Sequence, residues 1–132
     1  MPFQFHGLEN ELSKDPQLAI SKGLSWFEQD RELFQFRGGR LLSSAFPNCT
    51  QEFADALAEL VKAGSDTETD FALAILQNYH GETSIYVVLK EIVSRFPDDP
   101  GKMDGVRISI DSTGVVSGEL VAAKLTLRLS AA

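Results

Sequence analysis

Cysteine occurs once in this sequence, at Cys49, so the chain cannot close a disulfide on itself, and a reducing, cytoplasmic setting fits it best. Histidine occurs twice, at His6 and His80, and neither has a Cys, His or carboxylate at metal-ligand spacing. No metal site is expected. Basic residues are outnumbered, 12 Lys and Arg against 19 Asp and Glu, for a formal net charge of −7. That balance opposes a phosphate backbone, whose binding is driven by Lys and Arg displacing condensed counterions, so nucleic acid is not expected as a partner. Apolar runs are short, and none reaches the roughly 18 uninterrupted residues of a membrane span. The opening stretch MPFQFHGLENELSK has neither a basic n-region nor an apolar h-region and does not read as a secretory signal.

Catalytic motifs are missing as well. Gly114 and Gly118 enclose a segment without the Lys-Ser/Thr ending of a phosphate-binding loop, and Ser117 lacks a G-x-S-x-G context. Cys49 lies just before a helix start, where a thiolate gains some stabilisation, yet no histidine is near it in sequence, so it reads as an incidental thiol. The carboxylates Asp66, Glu68, Asp70, Asp98 and Asp99 gather at two helix starts, where capping and the helix dipole alone favour acids. The sequence therefore points away from an enzyme, and no cofactor is expected.

What the sequence does contain is helix. Hydrophobic residues at 43% and charged residues at 23% are ordinary for a globular chain, and 132 residues make one domain able to bury a core without disulfides or metal. From Thr50 to Phe96 three amphipathic segments follow one another, TQEFADALAELVKAG, DTETDFALAILQNYHG and ETSIYVVLKEIVSRFP. Connections of a few residues pack such neighbours antiparallel. Thr50 is an N-cap, Phe53, Leu57, Leu60 and Val61 form one stripe, and Gly64 sits where a left-handed residue ends a helix. Ser65 and Glu68 have capping-box form, followed by Phe71, Ala72, Ile75, Leu76 and Tyr79. Thr83 or Ser84 opens the third segment, whose stripe is Ile85, Val88, Leu89, Ile92, Val93 and Phe96, and Pro97 stops it.

The flanks read less regularly. Residues 1–14 are a lead-in. Asp15 and Pro16 start a helix carrying Leu18, Ile20, Leu24 and Phe27. Asp30 caps RELFQFRGGRLLSSAF, which Pro47 ends, and the pair Gly38 and Gly39 predicts a close helix approach, a kink, or a break between Arg37 and Arg40. Asp99 and Pro100 repeat the cap-then-proline start, with Met103, Val106 and Ile110 at helical spacing. VRISID and KLTLRLS alternate with period two, so local pattern alone leaves open an α+β fold with a C-terminal β-hairpin beside one with two more helices.

Sliding the chain against itself by 32 positions favours the helices. Leu57 falls on Leu89, Glu59 on Glu91, Leu60 on Ile92, Val61 on Val93 and Asp66 on Asp98, and the register continues with Phe71 on Met103 and Ala74 on Val106. Paired helices with a period in the low thirties are the signature of an α-solenoid. Within Leu24 to Glu119, the stretches LSWFEQDRELFQFRGGRLLSSAF, ILQNYHGETSIYVVLKEIV and ISIDSTGVVSGE resemble a HEAT-like repeat region of bacterial proteins of unassigned role. The resemblance implies an all-α fold of antiparallel helical pairs stacked as a short HEAT-like α-solenoid, with Val106 to Asp111 and Leu120 to Leu129 helical. The chain departs from it after Ser117-Gly118-Glu119, where the family continues with a charged, aromatic helix and this sequence runs VAAKLTLRLSAA. The single domain then divides into a lead-in over 1–14, a helical array over 15–96 and a last pair over 97–132. Two units and a third pair stand close to the minimum of about three repeats, which leaves a homodimer through an exposed end open.

The functional expectation that follows is surface recognition. A solenoid presents a groove lined by the second helix of each pair, here the helices from Thr50, Thr83 and Glu119. Trp26, Tyr79 and Tyr86 are candidate partner contacts because Trp and Tyr are enriched at binding hot spots, and Arg37 and Arg40 are candidates to meet an acidic group. The sequence thus reads as a non-catalytic protein–protein interaction module. The alternative, motivated by small size and a charge of −7, is an acidic inhibitor or immunity-type protein that blocks a basic partner.

Overall fold

The computed structural model describes residues 11–79 and 82–113. His6, the pair His80 and Gly81, and residues 114–132, with the linker, the last expected helix and the second candidate strand, lie outside the described residues. The described chain forms six helices: α1 (Pro16–Gln29), α2 (Arg31–Leu33, Phe34–Gly38 and Gly39–Ala45 in continuous succession), α3 (Gln51–Ala63), α4 (Asp66–Leu76), α5 (Tyr86–Arg95) and α6 (Pro100–Thr113). Among the described residues there is no strand, and the fold is all-α.

Side-chain oxygens hold the helix starts. Asp15 Oδ1 accepts from the Gln17 N–H at 3.0 Å and the Leu18 N–H at 3.3 Å, and Asp30 Oδ1 accepts from the Leu33 N–H at 3.0 Å. Thr50 Oγ1 accepts from the Phe53 N–H at 3.4 Å, and Asp99 Oδ1 from the Lys102 N–H at 3.1 Å. Each satisfies donors that a first turn leaves without an intrahelical partner, for about 1 kcal/mol. Before α4 the Glu68 carboxylate accepts from both the Ser65 hydroxyl at 2.8 Å and the Ser65 N–H at 3.2 Å. These bonds, the hydroxyl above all, hold the Glu68 carboxyl below its usual range.

Several local expectations are corrected. Gly64 is extended, with φ −94 and ψ −167, rather than left-handed. A glycine is needed there for space: an added Cβ would lie 2.7 Å from Leu60 O and from Glu68 Cβ. The segment opens at Thr83, but as a 3₁₀ turn, Thr83–Ile85, that leads into α5, and Ser84 Oγ donates to Cys49 O at 2.5 Å. VRISID is helical, because Met103, Val106 and Ile110 all enter the core, and that 3.6-residue burial outweighs the period-two alternation. The first strand of the alternative hairpin is therefore ruled out. Leu18 is exposed rather than core, and Leu60, Val93 and Phe96 are only half-buried. No break follows Arg37: the backbone stays right-handed helical through Gly38 (φ −65) and Gly39 (φ −62).

The helices contact one another in two series. α1 packs on α3 and α3 on α5, while α2 packs on α4 and α4 on α6; within pairs, α1 meets α2, α3 meets α4 and α5 meets α6. Like ends lie together in each series. Arg95, at the C-terminal end of α5, donates to Val61 O and, at 2.6 Å, to Gly64 O at the end of α3. At the starts of the other series, Asp70 takes Arg31 Nη1 at 3.4 Å on one carboxylate oxygen and Lys102 Nζ at 3.6 Å on the other. Between the series, Phe27, Phe34 and Phe71 form an aromatic cluster with ring centroids 5.2 to 5.8 Å apart, and Phe46 stacks on Phe53 at 4.2 Å. Leu57 and Val61 on α3, Leu89 and Ile92 on α5, and Ile85 in the turn before α5 continue the core.

Candidate functional site

Among the described residues the most deeply placed charge is Lys102, whose side chain is only 7% exposed. Its Nζ lies 3.2 Å from Asp99 Oδ2, 3.3 Å from Asp66 Oδ1 and 3.6 Å from Asp70 Oδ1, and 5.1 Å from the centroid of the Phe96 ring. Burial opposes the ammonium form, but the bond to Asp99 and the charges of Asp70 and Asp66 more than offset it and raise the Lys102 pKa. In return the Lys102 N–H and ammonium hold the Asp99 carboxyl below its usual range. Every carboxylate in this group faces a cation, so the cluster fastens α4 to α6 and leaves no free acid–base pair. Among the described residues no group of three or more His, Cys, Asp or Glu is arranged to hold a metal.

A second concentration of chemistry surrounds the turn between α2 and α3. Asn48 (φ 63) and Cys49 (φ 47) are consecutive left-handed residues, a conformation that persists only where surrounding contacts hold it. Those contacts are the Tyr79 hydroxyl, donating to Phe46 O at 2.8 Å, and Ser84 Oγ on Cys49 O. Burial, only partly countered by Ser84, pushes the Cys49 thiol up to about 11. Desolvation thus opposes the thiolate at this position, although a helix starts just after it. Burial raises the Tyr79 hydroxyl too. Tyr79 is thus a core residue, 4% exposed with its hydroxyl engaged, and takes no place on an outer surface.

The other four predicted contacts separate into two groups. Trp26 on α1 and Tyr86 on α5 are half-buried and packed against the core, with Lys90 Nζ 5.8 Å from the Tyr86 ring centroid. Both belong to the series of odd-numbered helices. Arg37 and Arg40 belong to the other series, on α2, and both are exposed. Directly before Arg37 stands a residue that the sequence pattern does not single out. Phe36 is 75% exposed, far more than Leu18 at 42% or Ile108 at 44%. Phe36 and Arg40, four positions apart, and Arg37 and Arg40, three apart, are neighbours on the helix surface, which puts Arg40 in the middle of the three.

The glycine pair explains why this face is presented. A Cβ on Gly39 would lie 2.7 Å from Ala74 O, and one on Gly38 would overlap the Phe34 ring, so this side of α2 is pressed against α4 and its own aromatic anchor. The opposite side faces out. Phe34–Gly38 is π-helical, with the Gly39 N–H donating to Phe34 O across five residues; such wide turns are uncommon and recur at functional sites. Of the described arginines, Arg31 pairs with Asp70, Arg107 with Asp104, and Arg95 with carbonyls, whereas Arg37 and Arg40 have no ion pair among the described residues. Phe36 was detectable in principle, since a helix that buries Phe34 turns a residue two positions on away from the core. No protein-family model, curated protein or solved structure matches the chain. No helix among the described residues is long and apolar enough to cross a membrane.

Proposed function

We propose that this chain is a non-catalytic protein-binding module built as a short HEAT-like array of helix pairs. The observation that carries this reading is the outward face of α2, where a 75% exposed phenylalanine stands beside two exposed arginines without ion pairs. Leaving a Phe ring in water forgoes roughly 2 kcal/mol of burial. Aromatic side chains and Arg are the residue types enriched where protein interfaces are most fully desolvated. The two helix series, tied at like ends, support the array reading, as does the 32-residue self-match that sets α3 beside α5. The buried Cys49 thiol and the closed Lys102 network serve the fold rather than a reaction.

A second reading, an acidic inhibitor of a basic partner, is favoured by a different surface. Glu52, Asp55 and Glu59 form an exposed stripe at three- and four-residue spacing along α3, in a chain of net charge −7. Affinity capture from the source organism, run in parallel with wild type, Phe36→Ala and a Glu52→Gln, Asp55→Asn, Glu59→Gln variant, separates the two. A stoichiometric partner lost only by Phe36→Ala supports the first reading. A partner lost only by the stripe variant supports the second, and retention of no protein by any of the three overturns both.

A further inference from the structure

We propose that the outward face of α2 takes a short acidic segment of a partner protein, with an apolar side chain of that segment seated on Phe36 and its carboxylates on the guanidinium groups of Arg37 and Arg40. This rests on the interaction-module reading and specifies the chemistry of its partner. In a chain with 19 acidic residues, every other described arginine has found an oxygen partner, while Arg37 and Arg40 remain exposed and unpaired among the described residues. A guanidinium fork matches a carboxylate through two parallel hydrogen bonds, which makes it selective for planar anions. At i and i+3 the two arginines stand about 5–6 Å apart at Cβ, a separation that carboxylates on one turn of a partner helix can match. Phe36 supplies an apolar seat beside Arg40, so the complementary segment carries an apolar residue next to acids.

The same local charge does not suit a nucleic acid or a membrane. Both present anionic surfaces that extend well beyond two arginines, and both would meet the −7 charge of the whole chain. A short acidic segment engages the patch alone, because charges farther away than about 8–10 Å are largely screened at physiological salt.

The test is a titration of the isotope-labelled full chain with a short synthetic peptide in which a single Leu is flanked by pairs of Glu, followed by amide NMR. Expected are saturable shifts centred on residues 34–40, with affinity at least about tenfold weaker for Phe36→Ala and for the double variant Arg37→Gln, Arg40→Gln. Circular dichroism and melting of these variants should match wild type, since all three side chains are exposed. The proposal is overturned by an absence of shifts on α2, by equal shifts with Lys replacing Glu in the peptide, or by equal shifts with oligothymidylate or phosphatidylserine vesicles. It is also overturned if the α2 amides already move on simple dilution, which would assign the face to a second copy of the chain. A captured partner that binds the double arginine variant as well as wild type would sink this proposal and leave the module reading standing; capture of no partner would remove both.

Discussion

Lys102 meets Asp70 across the same 32-residue interval at which the chain matches itself, Nζ standing 3.6 Å from Oδ1. Equivalent positions of α4 and α6 thus carry opposite charges that join. The other oxygen of Asp70 takes Arg31 at 3.4 Å, so the starts of α2, α4 and α6 are linked through one carboxylate.

Replacing Lys102 by Met keeps most of its apolar stem but leaves Asp66, Asp70 and Asp99 facing one another. The carboxylates are partly solvated, with side-chain exposures of 37% to 73%, so the expected loss is about 1–3 kcal/mol rather than that of a fully buried broken pair. Urea unfolding should show a lower midpoint at unchanged slope. Combining it with Asp70→Asn should cost less than the sum of the single changes, since the second removes a repulsion created by the first.

Acid should weaken the fold through Glu68 and Asp99. Both carboxyls titrate below their ordinary values of 4.5 and 3.8 in the folded chain. Their contribution is therefore complete above those ordinary values and is lost as pH falls through the lower folded values. Stability measured by urea unfolding should be level toward neutral pH and decline below about pH 4. The double variant Glu68→Gln, Asp99→Asn should start less stable and show a shallower decline; an unchanged slope would contradict the assignment.

Cys49 should resist thiol reagents while the chain is folded. With its pKa near 11, the thiolate fraction at pH 8 is roughly a hundredfold below that of an unfolded chain, before steric protection is counted. Labelling followed by mass spectrometry should be slow in buffer and rapid in urea. Tyr79→Phe removes the donor to Phe46 O inside the core and should cost about 1–2 kcal/mol, with no effect on partner capture.

Two glycines should respond oppositely to alanine. At Gly39 the new methyl would press on Ala74 O at 2.7 Å, backbone that cannot move aside, and overpacking of about 1–3 kcal/mol is expected. At Gly101 the nearest neighbour is Asp99 Oδ1 at 3.5 Å, so alanine fits and should be neutral or stabilising by up to about 1 kcal/mol. Thermal midpoints of the two variants should move apart.

The local punctuation of this fold was legible in the sequence. Asp15, Asp30, Thr50, the Ser65–Glu68 box and Asp99 act where short-range capping chemistry places them, and the stripe Phe71, Ala72, Ile75, Leu76 and Tyr79 is wholly buried. Most of what escaped depends on contacts distant in sequence. Gly64 is a local exception: it looks like a left-handed helix end but is extended, with Leu60 O and Glu68 Cβ 2.7 Å from where a Cβ would stand. VRISID alternates like a strand, and only the core meeting Met103, Val106 and Ile110 reveals the helix. Lys102 reads as a surface lysine until α4 brings Asp66 and Asp70 to it. Arg37 and Arg40 were legible as a pair of candidate contacts, whereas Phe36 stands out only once Phe34, two positions before it, is known to be buried.

The most direct measurement is the equilibrium affinity of the captured partner for wild type and for Phe36→Ala, by isothermal titration calorimetry. Because Phe36 is 75% exposed in the free chain, the variant should fold and melt as wild type does while binding at least about tenfold more weakly. Equal affinity of the two proteins for that partner would contradict the assignment of α2 as the binding face.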